Sequence, residues 1–263
     1  MRNFFQALEQ HQVRYLLISG QATVLYGAST FSEDVDLWVE PTVANWRRLR
    51  AALHQASARA YKLTPPLTLR YARRRHGFHF TVPDHDSPAG VGYVDIMGVP
   101  PRVGAFRGAW QRARWFMTDW GRLRVVAPAD LVFLKQTRRL ADYAVISALV
   151  RIACRPLRSR ALWEWAVRQT YEADDLLAFW KHARPAWRRK AATCRPAIRL
   201  LCSAETKPTR LQVSHALLME MESAREADRL YWRPVLAELR QLQRRRQLLT
   251  VGTLVNPVGT PAE

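Results

Sequence analysis

The apolar positions of this chain change period from one stretch to the next, and the changes mark out elements. Phe4, Phe5 and Leu8 recur at helical spacing and predict a short first helix. Tyr15-Leu16-Leu17-Ile18 is a compact apolar run of strand length, broken by Ser19-Gly20, after which Ala22 to Tyr26 predict a turn or two of helix stopped by Gly27. Val35, Leu37 and Val39 alternate with Asp34, Asp36 and Trp38, the period of two expected of a strand. Pro41-Thr42 offers a helix start, followed by Trp46, Leu49 and Leu53 at helical spacing. Pro65-Pro66 and the run Arg73-Arg74-Arg75 read as loop or irregular chain, and Gly77 to Val82 and Val91 to Met97 as two further strands. Trp115 to Thr118 and Leu123 to Val126 flank Asp119-Trp120-Gly121, a hairpin pattern.

From Pro128 onward the pattern is helical. Leu131, Leu134 and Lys135 fall along one predicted helix, and Ala144 to Arg151 continue it. Beyond about residue 155 only helical signals remain, with Trp163, Trp180, Trp187 and Trp232 as packing residues and Arg244-Arg245-Arg246 closing a basic helix. The expected fold class is α+β (α/β): a mixed sheet of about five strands flanked by helices over residues 1–150, then an all-helical domain over 151–249. A flexible tail is expected over 250–263, where Gly, Pro and Thr recur.

Composition narrows the class. With 263 residues, 48% of them hydrophobic and 24% charged, the chain can bury a core. No apolar run approaches the roughly 20 residues that span a bilayer, and no secretory leader pattern is present, so a cytoplasmic location without membrane contact is expected. Cys154, Cys194 and Cys202 are odd in number and form no C-x-x-C pair, which favours free thiols over a zinc site, with a Cys194–Cys202 bridge conceivable. The formal net charge is +19, with 20 Lys and Arg against 11 Asp and Glu in residues 1–150 and 21 against 11 in the rest. A positive excess spread over both halves attracts polyanions, although the scarcity of Lys beside abundant Arg, Ala, Trp and Pro also fits a GC-rich coding sequence.

The stretch from Tyr15 to Glu40 carries the chemistry. A strand delivers the chain to Ser19-Gly20, where a residue without a side chain lets backbone N–H groups approach a phosphate at the start of a helical turn. Asp34 and Asp36 stand two apart on a strand and so project from one face, two hard carboxylates of the kind Mg²⁺ or Mn²⁺ takes. Asp95 is a third carboxylate, inside the apolar strand Tyr93-Val94-Asp95-Ile96-Met97. A carboxylate in that setting needs a partner or a metal, an arginine being the structural alternative. The three together would form a two-metal triad.

This block, S-G-Q-A at Ser19–Ala22, G-A-S-T-F-S at Gly27–Ser32 and D-V-D-L at Asp34–Leu37, resembles the signature of the polymerase-β-type nucleotidyltransferase superfamily. More closely it resembles the AbiEii-like and minimal nucleotidyltransferases of bacterial defence and toxin–antitoxin systems. The likeness is tight over some 25 residues and loose over 1–146. It implies Mg²⁺-dependent transfer of a nucleoside monophosphate from an NTP, with Asp34, Asp36 and Asp95 catalytic and metal-binding. Ser19, Gly20 and Ser32 would contact the nucleotide. Asp130-Leu131-Val132-Phe133-Leu134-Lys135 resembles the family's D-L-x-x-x-K helix, so Lys135 would meet the triphosphate and Asp142 would orient Lys135 or a basic neighbour. The chain departs from the pattern in having Ser19 for the usual first glycine, Thr30 for the usual Arg and Ser32 for the usual Thr.

The resemblance further implies a macromolecular acceptor: RNA, such as a tRNA end, or the side chain of a cognate toxin or antitoxin protein. A non-catalytic nucleic-acid-binding module is the alternative from another class. Lys135 is otherwise a helix residue whose amine reaches solvent, and Asp142 an acid placed by a helix dipole. Asp84-x-Asp86 reads as solvated loop between Pro83 and Gly90, and His76, His79 and His85 as ordinary surface or strand histidines. Arg73–Arg75 reads as solvated loop, or as the entry for a polyanionic acceptor.

Overall fold

The computed structural model describes residues 1–157, 159–191, 195–203 and 208–257. The chain divides into two compact units, Met1–Leu134 with Trp232–Glu263, and Lys135–Tyr231. The first unit therefore gives up residues 135–150 of the expected sheet domain and gains the C-terminal stretch.

In that unit the order is α1 (Arg2–Gln10), β1 (Tyr15–Ile18), α2 (Ser19–Leu25), β2 (Asp34–Val39), α3 (Val43–Gln55), β3 (Arg59–Ala60), α4 (Leu69–Arg73), β4 (Gly77–Pro83), β5 (Val91–Met97), α5 (Phe106–Arg112), β6 (Arg114–Thr118), β7 (Gly121–Val125) and α6 (Pro128–Leu134). The strands form one mixed sheet in the order β3-β4-β5-β2-β1-β7-β6. It has seven strands rather than about five, because the hairpin β6–β7 joins it and the two-residue β3 adds an edge. Pairings β2·β5 and β1·β7 are parallel and the rest antiparallel.

The sheet is closed on one face. Val35 and Leu37 of β2, Phe78 and Phe80 of β4, and Val94 and Ile96 of β5 are all buried, as the period of two requires. Trp46 of α3 meets the Phe78 ring at 5.7 Å between centroids. Each such fully buried side chain contributes about 1.5–3 kcal/mol of transfer free energy. Thr42 caps α3 by accepting from the Asn45 N–H at 3.3 Å. Asn45 is buried and satisfied, accepting from Arg14 N–H (2.8 Å) and donating to the Arg14 and Glu40 carbonyls (2.9 and 3.0 Å). Those bonds fix the entry of β1 against the exit of β2.

The irregular stretch expected around Pro65 and Arg73 contains α4, capped by Thr68. The tail expected to be flexible from Thr250 is corrected over its first part. Ala60 N–H donates to Thr253 O, Gly252 N–H to Ala60 O and Val255 N–H to Ala58 O, at 2.8–2.9 Å. The edge strand β3 offers backbone groups that need partners, and this segment supplies them. Residues 258–263 lie outside the described residues.

The second unit comprises α7 (Ala141–Ala153), α8 (Arg160–Gln169), α9 (Ala173–His182), α10 (Pro185–Ala191), α11 (Pro196–Ser203) and the greater part of α12 (Arg210–Arg244). Trp163, Val167, Leu176, Ile198, Val213 and Leu217 form its core, and Trp163 lies 5.9 and 5.8 Å from the rings of Trp180 and Trp187. Arg195 is buried, pairs with the half-buried Glu220 and donates to the carbonyls of Arg168 (3.0 Å) and Thr170 (2.8 Å). Cys154 is buried and Cys202 exposed; Cys194, half of the conceivable bridge, lies outside the described residues. Among the described residues no helix is long and apolar enough to cross a membrane.

Candidate active site

The second face of the sheet is where polar residues collect. Along β4 and β5 every other residue is half-exposed, Gly77, His79 and Thr81 on one strand and Tyr93, Asp95 and Met97 on the other. Asp34 and Asp36 are half-exposed in the same way on β2. Because β2 and β5 run parallel with Asp34 opposite Tyr93 and Asp36 opposite Asp95, all three aspartates project from one face. Asp36 and Asp95 are direct cross-strand neighbours and Asp34 lies one step along β2.

Trp38, next on that face of β2, is buried where Phe106 of α5 covers it edge-on at 5.5 Å, and its indole N–H donates to Gly98 O at 3.0 Å. The carboxylate face is thus walled at that end by an aromatic pair. At the other end Tyr93 and Tyr61 lie 4.7 Å apart. The Tyr93 hydroxyl is held above the usual phenol range by Tyr61 first, then by partial desolvation and the negative charges of Glu33 and Asp34.

His79 belongs to this group. It stands opposite Asp95 in the antiparallel pairing of β4 with β5, and its Nδ1 lies 2.7 Å from Asp95 Oδ1. By sequence alone it reads as an ordinary histidine. The alternation of Gly77, His79 and Thr81 against Phe78, Phe80 and Val82 was the available signal, since it sets His79 on the polar face. His76, by contrast, is buried and pairs with Glu238 at 3.0 Å.

The glycine turn differs from expectation in two respects. Ser19 holds φ +58, the left-handed conformation that glycine takes freely and an L-residue takes at a cost of about 1–2 kcal/mol. Its backbone is therefore what a glycine would supply there, with strain added. At Gly20 the missing side chain makes room for Ser32 and not only for a ligand: a Cβ there would lie 2.0 Å from Ser32 Oγ. Ser32 Oγ donates to Asp34 O at 3.3 Å, and Gln21 Nε2 donates to Ser32 O at 2.7 Å. Gly20 and Ser32 thus act as a contact that locks α2 to the approach of β2, directly beside Asp34.

Lys135 and Asp142 belong to the second unit. Lys135 is in the turn just after α6 rather than on the helix, and its Nζ lies 3.1 Å from Asp142 Oδ1 in the first turn of α7. Thr137 Oγ1 donates to the other oxygen of Asp142. Asp84 pairs with the N-terminal amine, and with Asp86 it lies in the β4–β5 connection.

No protein-family model and no curated protein matches the chain. Among solved structures it is similar to an antigenic nucleotidyltransferase-like protein from Paracoccidioides brasiliensis, at 17% identity and a TM-score of 0.41, over 67% of this chain and 88% of that one. A likeness that loose transfers no chemistry between the two chains.

The donor set on the open face, three carboxylates, is of the hard-oxygen type that Mg²⁺ or Mn²⁺ takes. Among the described residues no group of three or more acidic, His or Cys side chains is closed tightly enough around one point to ligate an ion. The strand register brings the aspartates to one face; the side-chain torsions leave Asp95 turned to His79.

Proposed function

We propose that this chain is a nucleotidyltransferase that moves a nucleoside monophosphate from an NTP onto a macromolecular acceptor, with Asp34, Asp36 and Asp95 as its catalytic carboxylates. The observation that carries this reading is the parallel pairing of Asp36 with Asp95, with Asp34 two residues away on the same face. Mg²⁺ or Mn²⁺ held by these carboxylates would supply neutralising charge for the triphosphate. In the reaction the acceptor oxygen bonds to the α-phosphorus, the bond to the β-phosphate oxygen breaks, and pyrophosphate leaves. Asp95 takes the acceptor hydroxyl proton, and His79 orients the carboxylate that receives it. The loop joined through Ser19, Gly20 and Ser32 keeps Asp34 in place beside the nucleotide.

RNA, including a tRNA end, is the acceptor that the +19 charge favours, and a cognate toxin or antitoxin protein is the second choice. Incubation with each α-³²P-labelled NTP, Mg²⁺, total tRNA and total cell protein tests the reading. Label on RNA supports the first acceptor and label on protein the second. Asp34→Ala and Asp36→Ala each abolish labelling without lowering the melting temperature. Transfer retained by both variants refutes the assignment. The same assay on Lys135→Ala tests the role suggested by the D-L-V-F-L-K stretch.

A further inference from the structure

Sharing no lining residue with the carboxylate face, a cavity of about 760 Å³ lies in the first unit beside α4 and the C-terminal part of α12. Arg70, Arg74, Arg75 and Arg245 line it with Tyr71 and Gln241, and Glu238 is its one acid. The Glu238 carboxylate is engaged on both oxygens, by Arg74 Nη1 at 2.6 Å and by the buried His76 at 3.0 Å. Its negative charge is therefore satisfied locally, and the cavity keeps a positive excess. The Arg70 guanidinium lies over the Tyr71 ring, 5.9 Å from its centroid, which holds the cation at the cavity wall.

A second cavity of about 300 Å³ adjoins the first, lined by Arg47, Arg50, Arg70 and Arg73 with no acidic residue. Arg70 lines both. The two cavities together are lined by seven distinct arginines against one glutamate; Arg50 is buried and Arg74 is taken by Glu238, while Arg70, Arg73 and Arg245 are exposed. Guanidinium groups bind phosphate oxygens through paired N–H donors, and a row of them matches a chain of phosphates better than one isolated anion. A single strand bends its backbone freely and can lower successive phosphates into the two hollows.

From this we infer that the paired cavities bind the phosphate backbone of a single-stranded nucleic acid. The site is separate from the aspartates, and it holds whether or not those residues catalyse transfer. Its test therefore omits divalent cations.

Fluorescence anisotropy of a fluorescein-labelled 20-mer of uridine, titrated with the full chain in EDTA between 50 and 200 mM KCl, measures the affinity and its salt slope. The variant Arg70→Ala/Arg73→Ala/Arg245→Ala removes three exposed cations and leaves the Arg74–Glu238–His76 group intact, so its melting should match the parent. It weakens binding at least about tenfold and lowers the slope of log K against log salt by roughly 2, since each phosphate contact on a single strand contributes about 0.7. The control Arg107→Ala/Arg168→Ala/Arg184→Ala removes equal charge elsewhere and changes binding less than about threefold. Three results overturn the inference: a parent that does not bind the 20-mer, equal losses in both triple variants, or no loss in the first. Equilibrium dialysis of labelled ATP adds a further arm. If the first triple variant loses ATP binding and keeps the 20-mer, the cavity serves a free nucleotide and the inference is wrong.

Discussion

Gly20→Ala is the substitution for which two physical arguments give opposite signs. Gly20 lies in α2, where alanine in an ordinary exposed position stabilises by about 1 kcal/mol through helix propensity. The added methyl, however, would lie 2.0 Å from Ser32 Oγ and 2.8 Å from Ser32 Cβ. Carbon contacts settle at about 3.5–4.0 Å, so the Ser32 Cβ must retreat by roughly 0.7–1.2 Å and its hydroxyl must turn away. Its retreat is opposed by the bonds from Ser32 Oγ to Asp34 O and from Gln21 Nε2 to Ser32 O. Overpacking of this kind costs about 1–3 kcal/mol, which meets or exceeds the propensity gain. The substitution is therefore expected to destabilise, and the sign is expected to reverse in a Ser32→Gly background, with a coupling of about 1–3 kcal/mol. Ser32→Ala should relieve only part of the clash, because its Cβ remains. Hydrogen exchange read by mass spectrometry on peptides covering residues 15–39 isolates this region from the second unit. Net destabilisation should appear as faster exchange of β1 and β2 amides in Gly20→Ala, and slower exchange when Ser32→Gly is combined with it than the two single effects would sum to. Slower exchange in Gly20→Ala alone would show that the Gly20–Ser32 contact does not constrain the turn.

Ser19→Gly relieves the left-handed strain at φ +58 and, after the added freedom of the unfolded chain, is expected to stabilise by up to about 1 kcal/mol, read as a raised melting temperature. Arg195→Met removes a buried guanidinium with its bonds to the Arg168 and Thr170 carbonyls and leaves the half-buried Glu220 without its cation; it should cost about 2–4 kcal/mol, seen as early loss of protection in α8, α9 and α11. The Tyr26 hydroxyl, which donates to Val126 O at 3.0 Å, is pushed up to about 12, mainly by burial. A pKa raised on folding contributes stability that is complete below the unfolded value near 10 and is lost as pH rises through the folded value. The melting temperature should therefore fall between about pH 10 and 12, and Tyr26→Phe should reduce that fall; an unchanged fall in the variant would remove Tyr26 as its source.

Much of the first unit is legible in the sequence because its elements have simple periods. The four-residue run at Tyr15, the alternation through Asp34–Val39 and the two strands at Gly77 and Val91 were all apparent from side-chain hydrophobicity. The short elements were not. β3 has two residues and exists only through its pairing partners, and α4 follows a Pro-Pro pair that reads as loop. Lys135 reads as a helix residue because its neighbours are apolar, yet α6 ends at Leu134 and the amine is taken by Asp142. The segment after Leu249 looks like a frayed end by composition, and it is ordered by a strand edge whose needs no local pattern reveals.

By itself the sequence determined that Asp34 and Asp36 share a face, since residues two apart on any strand do, and that Asp95 sits in an apolar strand. It could not determine that Asp95 lies on the same face as those two. That depends on the register between β2 and β5, where a shift of one residue would turn the carboxyl to the packed side. The same register logic brought His79 to Asp95, and only the folded chain brought Arg70 within one cavity of Arg245. Local periodicity sets which way a side chain faces on its own element; which side chains meet across elements is a matter of pairing and packing between segments far apart in the chain.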